Sequence, residues 1–177
     1  DQSREQVLKM MDFAKKNECK VWLDLDYRHW NWPDKNTTRS VYQKAEKLAH
    51  VIVGNEEEFN ILNNELANQI NQCISNNQIM ILKKGKNGCT LFSGDCYLTS
   101  GIYKLKVLKP YGSGDAFLGN LIMNYMTHGD WKKATEAGSA AAAIVVSKPG
   151  CASAMPSNKE IKLLQDSVSI EPKTEWS

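Results

Sequence analysis

Residues 50–58 read His50-Val51-Ile52-Val53-Gly54-Asn55-Glu56-Glu57-Glu58. Three consecutive β-branched apolar residues make a short run of the kind a sheet buries on both faces. Asn55 followed three positions later by Glu58 has the spacing of a capping box, in which two side chains satisfy each other's backbone N–H groups at a helix start. A strand that runs straight into a capped helix is half of a strand–helix–strand unit, and the neighbouring sequence supplies the rest. Toward the N-terminus, Lys20–Leu25 (K-V-W-L-D-L) is β-prone and mostly apolar. It is followed by a polar aromatic loop, Asp26–Asn36, that Pro33 keeps out of helix, and Thr37 or Thr38 then caps a helix to about Ala49. Earlier still, Ser3 and Gln6 have capping-box spacing, and Val7, Leu8, Met11, Phe13 and Ala14 recur at helical spacing as far as Asn17.

Toward the C-terminus, a helical stretch near Leu62–Ser75 leads to a third apolar run, Ile79–Leu82 (I-M-I-L). The turn Lys84–Gly88 before Cys89–Phe92 and the turn at Gly94-Asp95 are hairpin signals, and Ile102–Leu108 alternates apolar residues with lysines in the manner of a strand. Gly112-Ser113-Gly114-Asp115 precedes a helix that stops at Gly129; Asp130 caps an alanine-rich helix to about Val146, and Ser157 with Glu160 starts a last one. Strands alternating with helices predict an α/β fold with a mostly parallel central sheet, and the late hairpins predict an antiparallel part at one side. The amphipathic first helix has no strand before it to pack against, which raises the expectation that an N-terminal half of the fold is missing.

Composition narrows the function. At 177 residues with 42% hydrophobic and 24% charged residues, the chain has the size of one domain. A formal charge of +2 gives no ground for nucleic-acid or membrane-surface binding. No apolar run approaches the ~20 residues that span a bilayer, and the N-terminus has no signal-peptide pattern, so a cytoplasmic protein is expected. Five scattered cysteines (Cys19, Cys73, Cys89, Cys96, Cys151) and three unpaired histidines propose neither a disulfide framework nor a zinc site. A Rossmann G-x-G-x-x-G and a Walker A motif are both absent.

The sharpest chemical feature is Tyr111-Gly112-Ser113-Gly114-Asp115. Two glycines at a helix mouth admit positive φ and a close backbone approach, and the first-turn N–H groups with the helix dipole favour an anion such as a phosphoryl group. A carboxylate there competes with that anion unless it serves a hydroxyl that loses a proton as phosphate moves to it. The plainer reading is a tight turn with Asp115 complementing the helix start. Asn55 and Glu58 are open to two readings in the same way, as a capping box or as oxygen ligands. Trp22, Trp30 and Trp32 lie without a basic stripe and read as packing residues.

In order and distance, Asn55-Glu56-Glu57-Glu58, Lys83-Lys84-Gly85-Lys86-Asn87-Gly88, Gly112-Ser113-Gly114-Asp115 and Ala140–Ala143 followed by Lys148-Pro149-Gly150 resemble the ribokinase-like (PfkB) carbohydrate kinases, specifically the C-terminal half of one. The segments Asp24–Arg28, Asn31-Trp32-Pro33, Gly54–Phe59 and Val107–Lys109 are most similar to the subfamily that phosphorylates 5-dehydro-2-deoxy-D-gluconate in myo-inositol breakdown. The resemblance implies a three-layer ribokinase-like fold whose N-terminal strands and lid are missing, with residues 1–165 as the nucleotide-binding and catalytic part and 166–177 as a tail. It implies ATP and Mg²⁺ as cofactors, a sugar acid as substrate, and transfer to a primary hydroxyl. Asp115 is then the general base, and Gly112, Ser113 and Gly114 are the anion hole. Asn55, Lys83, Gly85 and Gly88 bind ATP, Arg28 meets substrate or phosphate, and Glu58 holds Mg²⁺ through water. Neither nucleic acid nor membrane is an expected partner, and an uncovered sheet edge makes a homo-oligomer one expected outcome. A 2-keto-3-deoxygluconate or fructose-type kinase and a non-catalytic nucleotide-binding fragment are the alternatives. The family's usual D-T-x-G-A-G-D is here Lys109-Pro110-Tyr111-Gly112-Ser113-Gly114-Asp115, which leads to the expectation that the Lys109 ammonium stands in for a monovalent cation.

Overall fold

The computed structural model describes residues 2–177. They form two compact units, residues 2–84 with 90–97, and residues 85–89 with 98–177. The first unit holds helix α1 (Gln2–Lys16), strand β1 (Trp22–Asp24), α2 (Lys35–Glu46), β2 (Val51–Asn55), α3 (Glu56–Asn63), α4 (Leu66–Ser75) and β3 (Ile79–Lys83). β1 pairs parallel with β2, Leu23 opposite Ile52, and β2 pairs parallel with β3, Ile52 opposite Met80. Val51, Ile52, Val53, Met80 and Ile81 are fully buried, as expected of strands covered on both faces. Phe59 and Leu62 of α3 and Cys73 of α4 complete this core with Tyr42 of α2.

Helix starts follow local chemistry. Asp34, not Thr37 or Thr38, caps α2: its carboxylate accepts from the Thr37 N–H at 2.8 Å and from the Thr37 hydroxyl at 2.8 Å. The two threonines therefore sit inside the helix. Likewise α1 already includes Gln2, so Ser3 lies in its first turn instead of capping it. The helical stretch before β3 is two helices, broken where Asn64 takes φ 59°.

In the second unit, α5 (Ser113–His128) packs on α6 (Trp131–Ser147), and α7 (Asn158–Ser167) on α6. Gly129 ends α5 in the left-handed conformation, Asp130 caps α6, and Ser157 with Glu160 forms a complete capping box on α7. The small residues of α6 permit close approach: a Cβ on Gly138 would lie 2.8 Å from the Phe117 carbonyl oxygen.

The central sheet corrects the expectation of a mostly parallel arrangement. Its six strands run in the order β1 to β6, adding β4 (Cys89–Ser93), β5 (Cys96–Ser100) and β6 (Glu175–Trp176). β5 pairs antiparallel with β6, Leu98 opposite Trp176. The β3–β4 and β4–β5 connections are far shorter than the dozen or so residues a parallel crossover needs, so those neighbours are antiparallel too. The sheet is mixed and mostly antiparallel. Helices also lie between β5 and β6, yet that pair is antiparallel, and the parallel part is confined to β1, β2 and β3.

The alternating segment 102–108 is not a strand. Tyr103 is buried and Leu105 packs against α6 and its neighbours, but among the described residues the segment's only bridge is Ile102 with Glu171. β6, two residues long, has no pattern by which the sequence could announce it.

Candidate active site

The predicted site residues fall into two groups. The first gathers at the carboxyl ends of β1, β2 and β3, the end at which open α/β sheets place their ligands. Asn55 closes β2 and caps α3, with its Oδ1 accepting the Glu58 N–H at 3.0 Å, and Glu58 Oε2 accepts the Asn55 N–H at 2.7 Å. The capping box is therefore real. Glu58 does more than cap: its Oε1 accepts the Tyr27 N–H at 2.9 Å, tying the loop after β1 to the start of α3. Its side chain is only 4% exposed, and the Lys83 ammonium stands 4.0 Å away. Lys83, the last residue of β3, donates to Asp24 Oδ1 at 2.9 Å, across to the last residue of β1.

Beyond β1 the chain turns sharply. Asp26 adopts φ 37°, a conformation that Asp tolerates better than most residues, and its carboxylate pairs with Arg28 at 2.7 Å. Both side chains are about half exposed, so the pair leaves the guanidinium accessible. The negative field here is visible at Tyr42, whose hydroxyl donates to the Leu25 carbonyl at 2.6 Å. Burial, then Glu58, Asp26, Tyr27 and Asp24, push its phenol above the ordinary tyrosine range.

This donor set bears on the implied Mg²⁺. Among the described residues no group of three or more His, Cys, Asp or Glu side chains is arranged to hold a metal. Both Glu58 oxygens are engaged by backbone amides, so direct ligation does not fit. Action on a water of a hydrated cation does, since Mg²⁺ keeps most of its waters.

The second group surrounds the mouth of α5. Gly112 takes φ 82°, which favours glycine, and a Cβ there would lie 2.8 Å from Cys151 Sγ and displace the thiol. The first intrahelical bond runs from the Ala116 N–H to the Gly112 carbonyl. The N–H groups of Ser113, Gly114 and Asp115 therefore precede the helical ladder and project from its mouth. Ser113 Oγ donates to the Pro110 carbonyl at 2.8 Å, which fixes the turn, and the Lys109 ammonium donates to the Tyr111 carbonyl at 2.8 Å. Asp115 is exposed in the first turn and has no hydrogen-bond or ion-pair partner among the described residues. Of the remaining predicted residues, Gly85 turns with φ 57° in open space. Gly88 is held by packing, since a Cβ would lie 1.9 Å from the Ser100 carbonyl oxygen.

A protein-family model described as the pfkB family of carbohydrate kinases matches residues 1–158. The chain belongs to that family. Among its curated PfkB relatives, 5-dehydro-2-deoxygluconokinase of Bacillus subtilis (strain 168) is 32% identical over 169 residues, covering 92% of this chain and 52% of the relative. The enzyme of the same name from Photobacterium profundum is 35% identical over 166 residues, covering 89% and 50%. This PfkB chain thus spans about half the length of the curated relatives it matches. Among solved structures, a fructokinase with bound ATP from Xylella fastidiosa superposes with a TM-score of 0.84 at 21% identity, covering 93% of this chain and 57% of that one. The ribokinase-like three-layer α/β fold is therefore shared.

The pairing of Lys83 with Asp24 was not among the sequence expectations. The acid-rich end of β1 was visible. Its pairing across 59 residues of sequence has no local signal.

Proposed function

We propose that this chain is the nucleotide-binding and catalytic part of an ATP-dependent kinase that phosphorylates a primary hydroxyl of a sugar acid. The observation that carries the reading is the pairing, at the mouth of α5, of amides outside the helical ladder with a first-turn carboxylate that has no partner of its own among the described residues. Such a mouth accepts a phosphoryl group, and such a carboxylate accepts a proton. In the proposed reaction the acceptor hydroxyl gives its proton to Asp115 as its oxygen bonds to the γ-phosphorus. The bridging bond to the β-phosphate breaks and ADP leaves. The Ser113 and Gly114 amides, with Gly112 shaping the turn, stabilise charge on the migrating group, a role worth about 3–4 kcal/mol per donor in comparable sites.

At the strand ends, Asn55 and Lys83 are proposed to serve the nucleotide phosphates, with Gly85 and Gly88 in the adjoining turn, and Arg28 an acidic group of the substrate. Mg²⁺, when bound, neutralises charge on the phosphates, and Glu58 would orient one of its waters. The names of the curated relatives favour 5-dehydro-2-deoxy-D-gluconate as acceptor, and the resemblance read from the sequence proposes myo-inositol breakdown as its setting.

The test is nucleotide binding followed by acceptor-dependent ADP release. Mg·ATP is titrated into the 177-residue chain, and ADP release is measured with 5-dehydro-2-deoxy-D-gluconate, 2-keto-3-deoxygluconate and fructose, using this chain and the product of any contiguous upstream coding sequence. Binding by this chain with feeble or no release, and release from the longer product stimulated most by the first acceptor, are expected. Greatest stimulation by another acceptor reassigns the substrate; binding without release from either protein points to a nucleotide-binding fragment, and no binding overturns the reading.

A further inference from the structure

We propose that Asp24 is a positioning residue for nucleotide binding, acting through Lys83. The inference rests on the kinase reading above and adds to it a residue that touches neither phosphate nor substrate. Asp24 ends β1 and Lys83 ends β3, with β2 between them in the sheet. Their 2.9 Å ion pair therefore spans two strand spacings, roughly 9–10 Å of sheet, and requires the lysine stem to lie across the strand ends.

Three observations give this pair its meaning. First, Lys83 is fixed but not saturated. An ammonium carries three donors, and here one goes to Asp24, while Glu58 lies at 4.0 Å. Second, the pair is only about one-fifth exposed on each side, so the surrounding chain holds the ammonium in one place. Third, three carboxylates, Asp24, Asp26 and Glu58, stand at this edge against two cations, Lys83 and Arg28, which leaves one negative charge in excess. A polyphosphate approaching such an edge needs a cation at a defined place, and a freely moving lysine would disperse that charge over many rotamers. Room for the arrangement is left by Gly54, where a Cβ would come within 2.9 Å of Leu25 Cδ1 and 3.2 Å of Glu58 Oε2.

Asp24 thus has two opposed effects on a bound nucleotide: it repels phosphate directly and it places the cation that attracts it. Only the second depends on Lys83, which makes the two separable. Mg·ADP affinity is measured by calorimetry for the wild-type chain, Asp24→Asn, Lys83→Met and the double variant. Acylation of Lys83 by a dilute amine-reactive ester is followed in parallel by peptide mass spectrometry. Circular dichroism and thermal midpoints establish that each variant folds.

The expected result is a coupling of at least threefold: the double variant binds Mg·ADP more tightly than the product of the single effects allows, because without Lys83 only the repulsion is removed. Acylation of Lys83 should rise at least threefold in Asp24→Asn with no nucleotide present. A residue serving stability alone shifts thermal midpoints without either signature. Nucleotide binding with additive single effects, or unchanged acylation, overturns this inference and leaves the kinase reading standing. Absence of Mg·ADP binding by the folded wild type overturns both.

Discussion

The two groups of candidate residues solve opposite electrostatic problems. At the ends of β1–β3 the buried and half-buried charges are answered from within: Glu58 by two backbone amides, Lys83 by Asp24, Arg28 by Asp26. At the mouth of α5 the donors lie outside the helical ladder and Asp115 has no partner among the described residues. The difference teaches where function and stability separate. A group already satisfied in the folded chain holds the framework in place, and its removal costs stability. A group left unsatisfied costs the fold nothing to lose, and its removal is felt when a ligand arrives.

Asp115→Asn is the widest separation of the two. It should reduce acceptor-dependent ADP release by about 10²–10⁴-fold, the range of a lost general base, while changing the unfolding free energy by less than about 0.5 kcal/mol. Loss of stability comparable to the loss of rate would place Asp115 with the framework instead. The converse variant, Glu58→Ala, strands the Tyr27 and Asn55 amides and removes half of a capping box. A destabilisation of about 3 kcal/mol is expected in urea titrations.

The glycines sharpen the same contrast by a different mechanism. Gly88→Ala drives a Cβ to within 1.9 Å of the Ser100 carbonyl oxygen at φ 79°, so backbone must move, and a cost above about 3 kcal/mol is expected. Gly112→Ala at φ 82° meets the thiol of Cys151, which can rotate away, so about 1–3 kcal/mol of strain is expected. Gly112→Ala should nevertheless weaken nucleotide-dependent turnover more than Gly88→Ala does once each is compared at equal fraction folded, because Gly112 shapes the amide mouth. Equal turnover per folded molecule would remove that mouth from the proposed reaction.

What the sequence disclosed follows the same division between local and distant causes. The apolar runs at Val51–Val53 and Ile79–Leu82 and the caps at Asn55, Asp130 and Ser157 act within a few residues, and all were readable. The hairpins after β3 were readable as turns, yet their weight in the sheet was not, because a turn does not say how many strands will follow it. Segment 102–108 alternates as a strand does but finds a helix surface instead of a ladder partner. At the candidate site, residues marked by glycine turns or capping spacing stood out. Asp24 did not, since its partner lies 59 residues away, and neither did the tie from Tyr27 to Glu58.

The smallest expected effect concerns a buried charge that belongs to neither group. Glu46, at the end of α2, is 1% exposed and its carboxylate is met only by amides, Gln69 Nε2 at 2.5 Å and Gln72 Nε2 at 3.0 Å. Burial raises its pKa above the ordinary 4.5, against the weaker opposing pull of Gln69, Lys47 and Gln72. The folded chain therefore keeps this proton after the unfolded chain has released it, and stability falls as pH climbs from 4.5 until the folded carboxyl also ionises. His50 acts in the other direction: burial, with Lys15 and Lys20, lowers its pKa, so its contribution is present above 6.5 and fades as pH falls through the folded value. Glu160, held near 2 chiefly by Lys148, loses its contribution below 4.5. The Glu46 contribution is isolated by difference, with urea midpoints from about pH 4.5 to 8 for the wild type and Glu46→Gln. The wild type should lose stability relative to the variant by up to ~1.4 kcal/mol per pH unit within the window, and the two curves should run parallel above it. Parallel curves throughout would mean that the amides alone suffice to hold Glu46 ionised, and that a carboxylate can be framework at the core as it is at the strand ends.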